Sequence, residues 1–168
     1  MSATRIEVRA GLSVRQAGLA VAGAGVFALA IAYVAEYALH MVPCPLCYVE
    51  RWPYRIIIGL GVLAALVPPR WGRVVLGIAA LVMLGDVAIA FVHVGAEQHW
   101  WKSPLPECNV APPGFGAMPL RPSASCDSPV YLIPGLPISF ATMDLIYALT
   151  VASAIASYLK ASGSWSRR

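Results

Sequence analysis

Apolar residues fill the chain in four long runs, at about 17–39, 52–67, 74–94 and 138–159, and polar residues gather in the gaps between them. A hydrocarbon layer about 30 Å thick is crossed by roughly 20 helical residues rising 1.5 Å each, so the runs predict membrane-crossing helices. The second run stops at Pro68-Pro69 and is short by itself; it is expected to begin near Glu50 or to start at the lipid interface. The pattern predicts an all-α membrane protein, an antiparallel four-helix bundle forming one domain over residues 1–168 without internal repeats.

The third and fourth runs are separated by a long segment, about 95–137, that holds nine of the 14 prolines. Proline fixes its backbone and donates no hydrogen bond, so this loop is expected to carry little regular structure and to move. Its stretch PVYLIPGLP, 129–137, is apolar but too broken by proline to span, which predicts a segment lying along the membrane surface.

Composition supports the bilayer assignment. The chain of 168 residues is 59% hydrophobic and 12% charged, with a mean hydropathy of +0.71, whereas soluble domains carry near a quarter charged residues. The net charge of +4 is no nucleic-acid patch, because the cations cluster at the ends of the apolar runs. Arg5, Arg9, Arg15, Arg70, Arg73, Lys160, Arg167 and Arg168 fall on one side; Lys102, Arg121, Arg51 and Arg55 fall on the other. The positive-inside rule then predicts cytoplasmic termini and a cytoplasmic 68–73 link, with Cys44, Cys47, Cys108 and Cys126 all facing outward. The first run exceeds the 7–15 apolar residues usual in a cleaved signal and is read as retained.

Outside the cytosol disulfides form and persist, which gives the stretch PCPLCYVERWPYR, 43–55, its interest. A Cys-x-x-Cys pair at a helix start has a thiolate stabilised by amide dipoles and by nearby positive charge, here Arg51, four residues after Cys47. The same spacing suits a structural disulfide, or half of a zinc site completed by Cys108 and Cys126, and spacing leaves the three readings open. Cys108 and Cys126, with 17 residues between them, read either as a second redox pair or as a staple worth about 3 kcal/mol. Trp100 and Trp101 suit an interfacial aromatic anchor, and Arg55 a side chain snorkelling to the interface. Glu36 and Asp144 lie near outer run ends where they reach water; Asp86 is the deepest acid and suits a protonated or hydrogen-bonded role between helices.

CPLCYVER, the second cysteine pair in the long outer loop, and FVHVGAEQHWW (91–101) leading through SPLPEC to Cys108 together resemble the disulfide bond formation protein B (DsbB) family of bacterial inner-membrane thiol oxidases. The resemblance implies a protein-dithiol:quinone oxidoreductase in the inner membrane. A reduced periplasmic thioredoxin-fold oxidase of the DsbA type would attack a Cys108–Cys126 disulfide at Cys108, and Cys126 would pass the electrons to Cys44. Cys47, freed as a thiolate, would meet ubiquinone or menaquinone, with Arg51 stabilising both the thiolate and the charge developing on the acceptor. His93 and Glu97, one helical turn apart, are candidates to tune the quinone or carry its protons. The run APPGFGAMPLRPSAS, 111–125, matches no family pattern. Rivals are a scaffold with two structural disulfides, an outward zinc protein, and a vitamin K epoxide reductase-like enzyme, whose redox pair lies late in its chain.

Overall fold

The structure, a computed structural model, describes residues 12–109, 125–133 and 135–165. Arg5, Arg9, Arg121, Arg167, Arg168 and all of the 111–125 run but its last residue lie outside the described residues. Among those described there are four α-helices, α1 (Val14–Tyr37), α2 (Pro45–Leu66), α3 (Pro69–Glu97) and α4 (Phe140–Trp165), one 3-10 turn at Pro106–Asn109, and no strand. By length and composition α1, α3 and α4 could each cross a membrane. Helix α2 has 22 residues but carries Glu50, Arg51 and Arg55 in its first half, and falls outside that class.

Capping residues and first-turn prolines move the starts of α1, α2 and α3 ahead of their apolar runs. At α1 the Ser13 hydroxyl accepts from the Gln16 amide at 3.2 Å, while the Gln16 side chain accepts from the Ser13 amide at 3.0 Å. Such reciprocal capping satisfies two amides that the helix leaves unpaired. Helix α2 departs further from expectation, beginning at Pro45 rather than near Glu50 or Trp52. Cys44 is its N-cap in extended conformation, and Pro45 follows at the first helical position, where a missing N–H costs nothing and the fixed φ suits a helix. Pro69 opens α3 in the same way, so Arg70 and Arg73 belong to that helix instead of to a link.

Glycine lets α1 and α2 approach closely. A Cβ at Gly18 would lie 2.6 Å from the Gly61 carbonyl oxygen, and one at Gly61 would lie 2.6 Å from the Ala22 nitrogen. This is the small-residue contact by which helices pack where lipid is as apolar as leucine. Each helix packs chiefly on its neighbour in sequence, and Ile57, Leu76, Met83 and Ala148 meet in a fully buried centre. Outward faces stay apolar, with Leu66, Leu81 and Leu149 exposed.

Toward the Cys44 end larger side chains replace the glycines, and a cavity of about 200 Å³ opens there. All four helices and residues between Ser125 and Leu132 contribute to its wall. The described part of 129–137 forms no helix; the Val130 carbonyl accepts from the Phe140 amide at 2.7 Å, and Val130 and Leu132 face the cavity. The apolar residues of that stretch thus close over the helices as well as flanking α4.

Candidate active site

Cys44 occupies a cap position, and its sulfur receives what a cap receives. The Cys47 amide donates to Cys44 Sγ at 3.2 Å, and the Cys47 Sγ lies 2.6 Å away, within a small rotation of the roughly 2.05 Å of a disulfide bond. Both cysteines are free thiols in this state. Cys44 precedes the first residue of α2, and its thiol is held below its ordinary pKa, first by the Cys47 thiol hydrogen bond and then by the Cys47 amide, against an opposing push from burial. Donors converging on one sulfur favour its thiolate.

On the other side stands His93 of α3, with Nε2 3.4 Å from Cys44 Sγ. Its Nδ1 is 2.8 Å from Glu50 Oε1, and both side chains are buried. A carboxylate only accepts, so Nδ1–H donates to Glu50, while Nε2 faces the sulfur. Cys44, His93 and Glu50 therefore form one buried line of contacts from α2 to α3 and back. The three ligand atoms of Cys44, Cys47 and His93 lie within 4.8 Å of one another, close enough to share a soft metal ion when the thiols are reduced.

Arg51 lies elsewhere on the same cavity wall. Its guanidinium pairs with Glu36 of α1 at 2.5 Å and sits over the rings of Tyr33 and Tyr48, 5.1 and 4.9 Å from their centroids. The side chain facing the cysteine pair is thus His93, while Arg51 lines the cavity together with its partner Glu36. Glu36 is a tied ion-pair partner rather than a group merely reaching water. Arg55 donates to the Tyr33 hydroxyl at 2.9 Å and covers the Trp52 ring. Glu97 is buried at the end of α3, where it accepts from Ser139 at 2.5 Å, and it lines the cavity beside His93. Trp101 is held by a hydrogen bond to the Val92 carbonyl at 3.0 Å and covers Gly95.

Cys108 and Cys126 are joined as a disulfide. Cys108 stands in the 3-10 turn, and the bond packs with Cys44, Leu46, Cys47 and Leu105 into a single cluster. All four cysteines therefore meet at the start of α2, and the state seen has an oxidised loop pair over a reduced helix pair.

The family model for disulfide bond formation protein DsbB matches residues 14–157. The chain belongs to the DsbB family. Among curated relatives, the uncharacterized protein RP370 of Rickettsia prowazekii (strain Madrid E) is 28% identical over 138 residues, covering 82% of this chain and 68% of the relative. The disulfide bond formation protein B of Herminiimonas arsenicoxydans is 29% identical over 93 residues, covering 55% of this chain and 56% of that protein. No solved structure matches. As a DsbB family member with three helices fit to span, the chain is an integral membrane protein of disulfide bond formation, an oxidoreductase acting on thiols and disulfides.

Glu50 and Glu36 are the site residues whose roles the sequence reading missed. Their one sequence signal was position: Glu50 sits directly before Arg51, and Glu36 at the outer end of an apolar run.

Proposed function

We propose that this protein oxidises a periplasmic DsbA-type thioredoxin-fold oxidase by thiol–disulfide exchange and passes the electrons to a membrane quinone, ubiquinone or menaquinone. The observation that carries the reading is the cluster in which Cys108 and Cys126 pack together with Cys44, Leu46 and the half-buried Cys47. Exchange proceeds by attack of one sulfur on another through a mixed disulfide, and the cluster brings both pairs together.

The partner's thiolate attacks Cys108 Sγ, the Cys108–Cys126 bond breaks, and Cys126 leaves as the thiolate. Exposure favours this order, since Cys108 keeps 9% of its surface open and Cys126 only 1%. Cys126 next attacks Cys44 of a Cys44–Cys47 disulfide, releasing Cys47 as the thiolate. The partner's second thiolate displaces Cys108 and takes away the partner's new disulfide. Cys108 then attacks Cys126, restoring the loop bond and leaving Cys44 and Cys47 reduced.

The cavity beside that reduced pair suits a flat apolar carrier, with mostly apolar side chains on its wall and Cys44, Cys47, Arg51 and His93 among them. A quinone bound there would accept two electrons and two protons as the dithiol closes to a disulfide. His93 Nε2 takes the Cys44 proton, Glu50 holds the ring in the tautomer that permits this, and Arg51 favours negative charge within the cavity. Glu97 borders the same space as a further proton-holding group. The four helices run antiparallel across a bacterial inner membrane as one domain, with both termini cytoplasmic and the cysteines on the periplasmic side, as the distribution of Lys and Arg supports.

The test is quinone reduction followed by ultraviolet absorbance, with purified protein in detergent, a short-chain ubiquinone or menaquinone, and a reduced DsbA-type protein as donor. Reduction that needs both proteins is expected. Absence of reduction with either quinone, in protein shown to be folded and oxidised, would sink the reading.

A further inference from the structure

The side chains that meet at the start of α2 are also a ligand set. Cys44 Sγ, Cys47 Sγ and His93 Nε2 lie within 4.8 Å of one another, and all three residues line the cavity. Two sulfurs and an imidazole suit zinc(II), whereas calcium and magnesium take oxygen. Cys-x-x-Cys with one cysteine capping a helix and the other in its first turn is a chelating spacing as well as a redox one. The loop sulfurs are bonded to each other and offer nothing to a cation.

Distances decide how far such a site is already built. With zinc about 2.3 Å from sulfur and about 2.0 Å from nitrogen, tetrahedral geometry sets sulfur and nitrogen about 3.5 Å apart and two sulfurs about 3.8 Å apart. Cys44 Sγ and His93 Nε2 stand 3.4 Å apart, so that edge is in place. The two sulfurs stand 2.6 Å apart and must separate by roughly 1 Å, which falls to Cys47, the half-buried member of the pair. Behind His93, Nδ1 lies 2.8 Å from the buried Glu50 carboxylate, the arrangement that fixes the ring of a metal-ligating histidine. Two thiolates cancel the charge of a divalent cation, so the filled site adds no net charge to a largely apolar wall. The Arg51 guanidinium on that wall is tied to Glu36.

We propose that in the dithiol state Cys44, Cys47 and His93 bind a zinc(II) ion, with the fourth position turned to the cavity and taken by water. Two S–H bonds break and two Zn–S bonds form, the thiol protons and any proton on Nε2 pass to solvent, and no electron moves. The bound ion keeps the two sulfurs from closing on each other, so the helix pair is withheld from oxidation until the ion leaves. Closing the disulfide removes two of the three ligands, which confines the site to one redox state. The ligand geometry alone carries this site, and no step of it needs a quinone.

The experiment titrates zinc into protein in detergent, reduced with a phosphine and desalted, against a chromophoric chelator, and records zinc K-edge X-ray absorption of the loaded chain. The expected result is one ion per chain with two sulfurs and an imidazole around it. Affinity should fall at least about 100-fold on oxidation of the pair or in Cys44→Ser, about 100-fold in His93→Ala and about tenfold in Glu50→Ala. Oxidation of the reduced pair by a small disulfide should slow at least about tenfold with zinc bound and recover when chelator is added. Three or four sulfurs around the ion, oxygen and nitrogen alone, equal binding by oxidised protein, or unchanged affinity in His93→Ala would each overturn the site. Oxidation at an unchanged rate with zinc bound would overturn the withholding of the pair. Should His93→Ala fail to fold, the absorption spectrum of the unsubstituted chain decides, because it registers the imidazole directly. Absence of quinone reduction would leave all of these readouts as they are.

Discussion

In the proposed reaction the two cysteine pairs work from opposite kinds of structure. Cys44 and Cys47 are built into a helix start, where capping, Pro45, His93 and Glu50 all fix one sulfur. Cys108 and Cys126 are 18 residues apart, carried by a 3-10 turn and a helix-free segment. The helix pair has its protonation arranged by the fold; the loop pair, among the described residues, has its mutual bond, a hydrogen bond from the Cys108 amide to the Leu105 carbonyl and its place in the cluster. In the proposed reaction the helix pair would deliver electrons to the cavity from a fixed position, and the loop pair would meet the protein donor.

The largest test of this contrast removes the sulfur both routes share. Cys44→Ser is expected to bring donor-dependent quinone reduction down to background, whether the donor is a DsbA-type protein or a small dithiol. Cys108→Ser should separate the routes: oxidation of the protein donor stops, while a small dithiol still drives quinone reduction through Cys44–Cys47. Equal loss with both donors would mean the loop pair is part of the inner site, and unimpaired oxidation of the protein donor would return Cys108 to a structural role.

Next in size is Arg51→Ala, which removes the cation from the cavity wall and leaves Glu36 unpaired. The apparent quinone KM is expected to rise by about 10- to 100-fold, the range of a lost charge-assisted hydrogen bond, with oxidation of a small dithiol by added disulfide unaffected. An unchanged KM and turnover would place the acceptor elsewhere.

The smallest effect concerns the proton on Cys44. Because its thiol lies below the usual value, thiolate persists to lower pH than for an ordinary cysteine, and alkylation of reduced Cys44 should reach half its maximal rate below about pH 8.5. The Cys47 thiol hydrogen bond is the largest cause, so Cys47→Ala should move that midpoint upward. Iodoacetamide labelling followed by mass spectrometry across pH checks it, and a midpoint that stays put would shift the credit to the amide.

Local chemistry was the legible part of this site. Cys-x-x-Cys beside an arginine, the place of the loop pair and the turn carrying His93 and Glu97 all stand in the sequence, and α1, α3 and α4 follow their apolar runs closely. The start of α2 was misplaced because hydropathy does not register a cap, and Cys44-Pro45 is a cap before it is anything apolar. Partnerships between helices were the hidden part. Glu50 with His93, Arg51 with Glu36 and Tyr54 with Asp144 join residues 43, 15 and 90 positions apart, and each needs the rotation of two helices to be known. In a soluble helix an apolar stripe gives that rotation away. Here lipid-facing and core-facing sides are both apolar, so the pattern does not say that Asp86 points at the core and Leu81 at lipid.

The cap at Cys44 also bears on how strongly the helix pair draws electrons. Its sulfur accepts the Cys47 amide best as a thiolate, so closing the disulfide forfeits part of the cap that starts α2. An N-cap is worth about 1 kcal/mol, which in a two-electron couple corresponds to about 20 mV in the oxidising direction. A substitution that weakens this cap in the dithiol form more than in the disulfide form therefore makes the pair a weaker oxidant.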